Sequence, residues 1–362
     1  MKNNYAFFLI ALLSLLLFGC AKNNNNNNST TTVAQDKVFI NEITNSTNNC
    51  INDARNGQMA QSIIDFLNLS NGISGNEQWA NNMSTALENV TGTIQVDPNI
   101  NRFDFYSYCG NYVWNSTTQL FQKTTNSSSI IISFPSNPSS TSNDVTIQLW
   151  NYSDNPYPIN AEIFYLPKTA KGKITKGTTE IASLNFSANY SSVGFPTPLN
   201  MSYSIFMSPH NYNFSIQQIN NKEFNFTSNI FSGNGCGITV TANVVFNYDD
   251  YDNFVLEDYL KSVRATYQNG NFIIKSNFDA LSYFHLNNPT TFNLNSNLTN
   301  EVYNGTEKIA DLKFLDINFD RKLYIYYKDG TSEDTNVYYD PFLANLKNML
   351  RSIFGTDVDS WF

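Results

Sequence analysis

The chain has 362 residues, of which 41% are hydrophobic, 15% aromatic and only 14% charged, with a net charge of −9. That acidic balance excludes nucleic acid as a partner, because phosphate backbones require a basic face. Abundant Tyr (21) and Phe (28) beside so few charges exclude a wholly disordered chain.

Met1-Lys2 provides a short basic start, and Ala6 to Phe18 is an apolar run interrupted only by Ser14. The run is shorter than the ~20 residues that cross a bilayer as a helix, and it fits the hydrophobic region of a signal peptide. It ends in Leu17-Phe18-Gly19-Cys20, which resembles the lipobox of bacterial lipoproteins, although Phe18 is bulkier than the Ala or Ser usual at its place. The resemblance implies that residues 1–19 are removed and that Cys20 carries the lipid as the first mature residue. Several acyl chains hold a protein on a membrane durably, at roughly 0.8 kcal/mol per buried methylene. Ala21, where an Asp would signal inner-membrane retention, implies the outer membrane. Asn23 to Asn28 stand where surface-exported lipoproteins carry acids, which favours a periplasm-facing orientation over the cell surface.

Residues 20–36 then read as the lipidated Cys and an Asn-rich polar tether without periodicity. A helical segment is expected over 37–92, clearest where Met59, Ile63, Phe66 and Leu67 share one face and Asn71-Gly72 stops the run. A weaker helix follows through Trp79, Met83 and Leu87. From residue 93 to 362 the period is two. Leu184, Phe186, Ala188 and Tyr190 alternate with Ser and Asn, as do Ile238, Val240, Ala242, Val244 and Phe246 with Thr and Asn. One apolar and one polar face per strand predicts antiparallel sheets with one side wet. The fold expected is therefore mainly β with flanking helices (β or α+β), as a sandwich or half-barrel. A C-terminal helix is capped by Asp340, started by Pro341 and ended by Gly355. The segment from Gly177 to Phe186 echoes Gly305 to Phe314 at six of ten positions, which raises two similar β units near 168–190 and 298–327, set against coincidence between two hairpins.

The search for chemistry is less productive. With Cys20 acylated, Cys50, Cys109 and Cys236 remain, and the expectation is a Cys50–Cys109 disulfide with Cys236 buried between Gly235 and Gly237. There is no C-x-x-C, no Gly-x-Ser-x-Gly, and no phosphate loop beyond Gly233 to Gly237, which reads as a hairpin turn. His210 reads as a turn residue and His285 as part of a sheet. Asp249, Asp250 and Asp252, with Glu257-Asp258, offer oxygen ligands but lack the spacing of a calcium loop, so a solvated loop is expected. No metal, cofactor or catalytic residue is assigned. Trp79, Trp114 and Trp150 with many Tyr could stack sugars or line an acyl cavity, and the simpler expectation is that they fill a β core.

The segments Asn111 to Asn115, Lys308 to Leu312 and Tyr326 to Thr331 resemble those of uncharacterised, sheet-rich outer-membrane lipoproteins of Gram-negative bacteria. That resemblance brings no catalytic residues. The function expected is a non-enzymatic, lipid-anchored envelope protein that binds or carries an apolar ligand of lipid or lipoprotein type. The alternative is a carbohydrate-binding or adhesive surface β protein, and an enzyme is the least favoured class.

Overall fold

The computed structural model describes residues 31–58, 85, 96–97, 102–137, 139–140, 142–159, 162–192, 194–232, 236–251, 254–285, 294–317, 320–338, 340 and 344. The signal peptide, Cys20, the Asn tract, the Met59–Leu67 stripe, Trp79 and most of the C-terminal helix lie outside these residues. Helical backbone is present at 336–338, 340 and 344.

The first described element is helix α1 (Val33–Asn56), and it shortens the expected tether of 20–36 by four residues. Its start is a capping box. The Thr32 N–H donates to Gln35 Oε1 at 2.8 Å, and the Gln35 N–H donates to Thr32 Oγ1 at 3.3 Å. Asp36 adds a carboxylate to the first turn, where the helix dipole favours it. The buried stripe is Asp36, Ile40, Ile43, Thr44, Thr47 and Cys50, at three- and four-residue spacing. Half of it is polar (Asp36, Thr44 and Thr47), which is why hydrophobic periodicity understates the helix. The buried hydroxyls of Thr44 and Thr47 donate to the carbonyls of Ile40 and Ile43, at 3.1 and 3.0 Å.

The protein is mainly β, with one large, almost wholly antiparallel sheet and a few helices. Contacts divide it into two compact units, one over residues 54–212 and the other through Asp53 and from Asn213 to Arg351.

In the first unit, β1 (Val96–Asp97) pairs with β2 (Arg102–Phe103) as a short ribbon. A 3-10 turn (Phe105–Tyr108) leads into β3 (Gly110–Asn115) and β4 (Leu120–Thr125). Then follow β5 (Ile130–Phe134), β6 (Val145–Ile159), β7 (Glu162–Lys176), β8 (Thr179–Tyr190) and β9 (Pro198–Met207). β5 passes to the far side of β3 and pairs with it in parallel, while β5 to β9 are sequential antiparallel neighbours. The strand β10 (His210–Asn220) holds the division at Tyr212. Gly57 sits directly on the Ser208–Pro209 turn, where a Cβ would lie 2.0 Å from the Ser208 carbonyl oxygen.

The second unit runs β11 (Glu223–Ser232), β12 (Gly237–Phe246), β13 (Leu260–Asn269), β14 (Phe272–Asp279), β15 (Leu298–Asn304), β16 (Glu307–Ile317), β17 (Asp320–Tyr327) and β18 (Ser332–Asp334). Short helices α2 (Leu256–Tyr259) and α3 (Ala280–Phe284) interrupt the meander. Cross-strand register stacks the apolar alternation row on row, for example Val240 opposite Tyr267, Tyr267 opposite Ile274, and Ile274 opposite Val302. Ile40 and Ile43 of α1 pack into this face with Tyr267, Ile274, Val302 and Ile325.

The Gly177 and Gly305 echo has one geometry in both units. Both glycines are left-handed, with φ of 58° and 60°, as the tight turns require. Each donates its N–H to the residue preceding the strand two back, Asp144 O at 2.7 Å and Asn271 O at 2.6 Å. In each, the isoleucine four residues on, Ile181 or Ile309, is the extra residue of a β-bulge and is buried, with a buried alanine after it.

Polar side chains fasten the start of α1 to the second unit's last strands. Lys37 Nζ donates to Glu333 Oε2 at 2.7 Å, and Tyr338 donates its hydroxyl to Glu333 Oε1 at 2.6 Å, an oxygen that also accepts from Tyr327. Lys328 Nζ reaches Glu307 Oε1 at 2.8 Å and the fully buried Asp36 at 3.5 Å. Burial alone would raise Glu333, but the hydrogen bonds from Lys37, Tyr327 and Tyr338 hold its carboxyl below the usual range. Glu307 is lowered by Lys328 and by the Thr31 N–H. Folded-state values below those of the unfolded chain mean that this stabilisation is full above about pH 4.3 and is lost as pH falls through the lowered values. The unfolding free energy from denaturant titration should therefore be flat from pH 7 to pH 5 and fall below that, by about 1 kcal/mol for each carboxylate. Glu333→Gln should flatten the acid limb. A midpoint that rises on acidification, or a limb unchanged in Glu333→Gln, contradicts the assignment.

Candidate functional site

Among the described residues, aromatic, acidic and basic side chains converge in a cleft of about 200 Å³ in the first unit. It is lined by Arg102 to Tyr106 on one side and Tyr152 to Asp154 on the other. Arg102 opens β2, Asp104 caps the 3-10 turn through Ser107, and the second wall comes from the middle of β6. The register of β6 against β7 shifts between Trp150 and Ser153, where Asn151 takes the left-handed region at φ 54°. Asn tolerates that region better than most residues, and bulges of this kind re-aim the side chains that follow. Tyr152, Ser153 and Asp154 are the side chains so placed.

The polar centre is a bidentate pair. Arg102 Nε donates to Asp154 Oδ2 at 3.1 Å and its Nη2 to Oδ1 at 2.9 Å. Asp154 is nearly enclosed, at 2% side-chain exposure, while Arg102 is 41% exposed and presents its outer edge to solvent. The Tyr165 ring backs the guanidinium at 4.9 Å, a cation–π contact. The bond to Asp154 raises the Arg102 pKa further. Burial, then the Asp154 charge, pushes the Tyr152 phenol up to about 12.

Aromatic rings set the walls. Tyr152 takes the edge of Phe103 at 5.0 Å and lies 5.4 Å from Phe105. Tyr106 is 66% exposed, stands edge-on to Phe105 at 5.5 Å, and donates its hydroxyl to the Tyr152 carbonyl at 3.2 Å. Ser153 Oγ pairs with Thr169 Oγ1 at 2.7 Å, so it and Asp154 both hold structural bonds. The arrangement can grip a flat, hydroxyl-rich ligand with one stacking face.

The expected Cys50–Cys109 pairing is corrected. Cys50 bonds to Cys236, with Cα atoms 5.6 Å apart, and Cys109 is a free, buried thiol. Cys50 lies on the buried stripe of α1 and Cys236 just before β12, in the same unit. Cys109 ends the 3-10 turn inside an aromatic cluster of the other unit, and its thiol donates to the Phe105 carbonyl at 3.5 Å. Burial raises its pKa, which keeps the thiol protonated. Three cysteines permit three pairings, and spacing does not choose among them.

Other candidates separate. Trp114 is core against Phe121, and Trp150 is half-buried with Lys173 Nζ 5.9 Å from its ring centre. His210 is the buried first residue of β10, beside the Ser208–Pro209 turn rather than part of it, and His285 caps α3 rather than lying in a sheet. Asp249 and Asp250 stay exposed on a loop pinned by Tyr251, whose hydroxyl donates to the Asn221 carbonyl at 2.7 Å. Among the described residues no three His, Cys, Asp or Glu side chains gather as a metal ion would need. The cleft was missed in the sequence, although the run Arg102-Phe103-Asp104-Phe105-Tyr106-Ser107-Tyr108 interleaves aromatics with charge as densely as any segment of the chain.

Fold and cleft together define a mainly β protein of two meandering units with an aromatic, charge-paired cleft on the first. Comparison with protein-family models, with curated proteins and with solved structures finds no match.

Proposed function

We propose that this chain is a non-enzymatic binding protein of the cell envelope, tethered to the outer membrane by acylated Cys20. The cleft at Arg102 and Asp154 carries the binding part of the reading. Its ionisable centre is tied up in a bidentate pair, its serine is engaged by Thr169, and its walls are aromatic. Such a site offers shape, stacking and hydrogen bonds. The tether part rests on Leu17-Phe18-Gly19-Cys20 and on a polar spacer that ends at the capping box of α1.

A second reading, a carrier for an apolar ligand of lipid or lipoprotein type, draws on the cross-strand pairs Leu184–Ile205, Phe186–Tyr203 and Ala188–Met201. They form an apolar patch across β8 and β9 that is only half-buried at most of its positions.

Growing cells with labelled palmitate tests the tether. The wild type should incorporate label and sediment with outer membranes, and Cys20→Ala should do neither. A Cys20→Ala chain that still sediments with membranes ends the tether reading. Organic extraction of that unacylated variant separates the ligand readings, because an acyl ligand recovered by mass spectrometry supports the carrier.

A further inference from the structure

We infer that the Arg102–Asp154 cleft is a subsite for one neutral sugar ring. The inference rests on the binding-protein reading and names its ligand class. A pyranose has two kinds of surface, C–H faces that lie on an aromatic ring and equatorial hydroxyls that pair with planar polar groups. The cleft presents both. Tyr106 is the stacking platform. It is 66% exposed, yet its hydroxyl bond to Tyr152 O and its edge contact with Phe105 hold the ring in one orientation. Little ordering entropy then remains to be lost when a ligand arrives.

Arg102 is the planar donor. Asp154 uses its Nε and one Nη2 hydrogen, and Tyr165 covers one guanidinium face. The remaining N–H groups are directed by that double anchorage to hydroxyl oxygens. Asp104, exposed at the rim, is the acceptor for hydroxyl hydrogens.

Size and charge narrow the class. About 200 Å³ is below the ~300–1,000 Å³ of sites for drug-sized ligands, which suits a single ring or the end of a chain. Two carboxylates, Asp104 and Asp154, face one guanidinium, so a uronate or sialate would meet net repulsion. An acyl chain would strip water from the exposed Arg102 edge without replacing its hydrogen bonds.

The place in the fold agrees. Matching Gly177 with Gly305 aligns β6 to β8 with β14 to β16, yet β6 and β7 are each 15 residues long against eight in β14 and seven in β15. Ser153, Asp154 and Tyr165 lie on the extension that this adds, just beyond the Asn151 bulge. The site is thus built where the two units stop resembling each other.

The test uses the full-length acylated chain in detergent, on an array of neutral gluco-, manno-, galacto- and N-acetylglucosamine oligosaccharides with uronate- and sialate-containing controls, followed by calorimetry. Neutral glycans should be retained. Tyr106→Ala, at a position 66% exposed, should weaken binding by about tenfold or more, and Tyr106→Phe should stay within about threefold of wild type. Retention of no neutral glycan, preference for the acidic controls, or equal binding by Tyr106→Ala overturns the inference. An acyl ligand recovered from Cys20→Ala beside a blank array removes the sugar but leaves the binding-protein reading standing. Loss of the tether leaves the array result unaffected.

Discussion

Cys236→Ser should lower the unfolding free energy of the unit that carries α1 by about 3–5 kcal/mol. The Cys50–Cys236 bond closes a loop of 186 residues, and the cost of holding so long a loop closed is taken from the unfolded chain. Inside the folded unit the bond joins the buried stripe of α1 to the turn region between β11 and β12, where Ser232 N–H donates to the Cys236 carbonyl at 2.9 Å. The measurement is denaturant unfolding under oxidising and reducing conditions. Wild type in reductant should match Cys236→Ser, and Cys109→Ser should unfold with wild type. If Cys236→Ser unfolds with oxidised wild type while Cys109→Ser drops, the pairing is wrong.

Ile43→Ala should cost about 2–5 kcal/mol, the range for deleting a large aliphatic side chain from a packed core. Ile43 is 0% exposed and packs in the same cluster as Tyr267, Ile274 and Ile309, each at 1% or less. Close packing gives the vacated volume little to collapse into. Val38→Ala on the same helix, at 58% exposure, should stay within about 0.5 kcal/mol of wild type. The pair separates packing from helix propensity, since both variants gain the same alanine. Equal effects at the two positions would mean that α1 does not rest on the sheet through Ile43.

The strands were legible because their signal is local. Ile238 to Phe246 alternates in sequence and forms β12, and Ser183 to Tyr190 alternates and lies within β8. The Gly177 and Gly305 echo marked two hairpins whose bulge and turn then prove alike. Helix α1 was read too late in the chain because Asp36, Thr44 and Thr47 occupy positions where a hydrophobic pattern expects aliphatics. Their burial is made tolerable by Lys328 for the carboxylate and by main-chain carbonyls for the hydroxyls. The local signal that was present is Thr32-Val33-Ala34-Gln35, the capping box.

The cleft follows the opposite rule. Arg102 and Asp154 are 52 positions apart, and Tyr165 is on the next strand, so no window of sequence contains the site. Their meeting depends on the register of β6 against β7 and on the bulge at Asn151.

By itself, then, the sequence determined the alternating faces, the hairpin glycines and an acidic, charge-poor surface, because strand polarity and turn geometry depend on neighbours a few residues away. Tertiary structure alone decided which cysteines bond, which threonines and aspartate lie inside, and which arginine meets which carboxylate. Each of those choices is made by strand register and helix docking, which bring together residues far apart in the chain and leave no periodic trace in it.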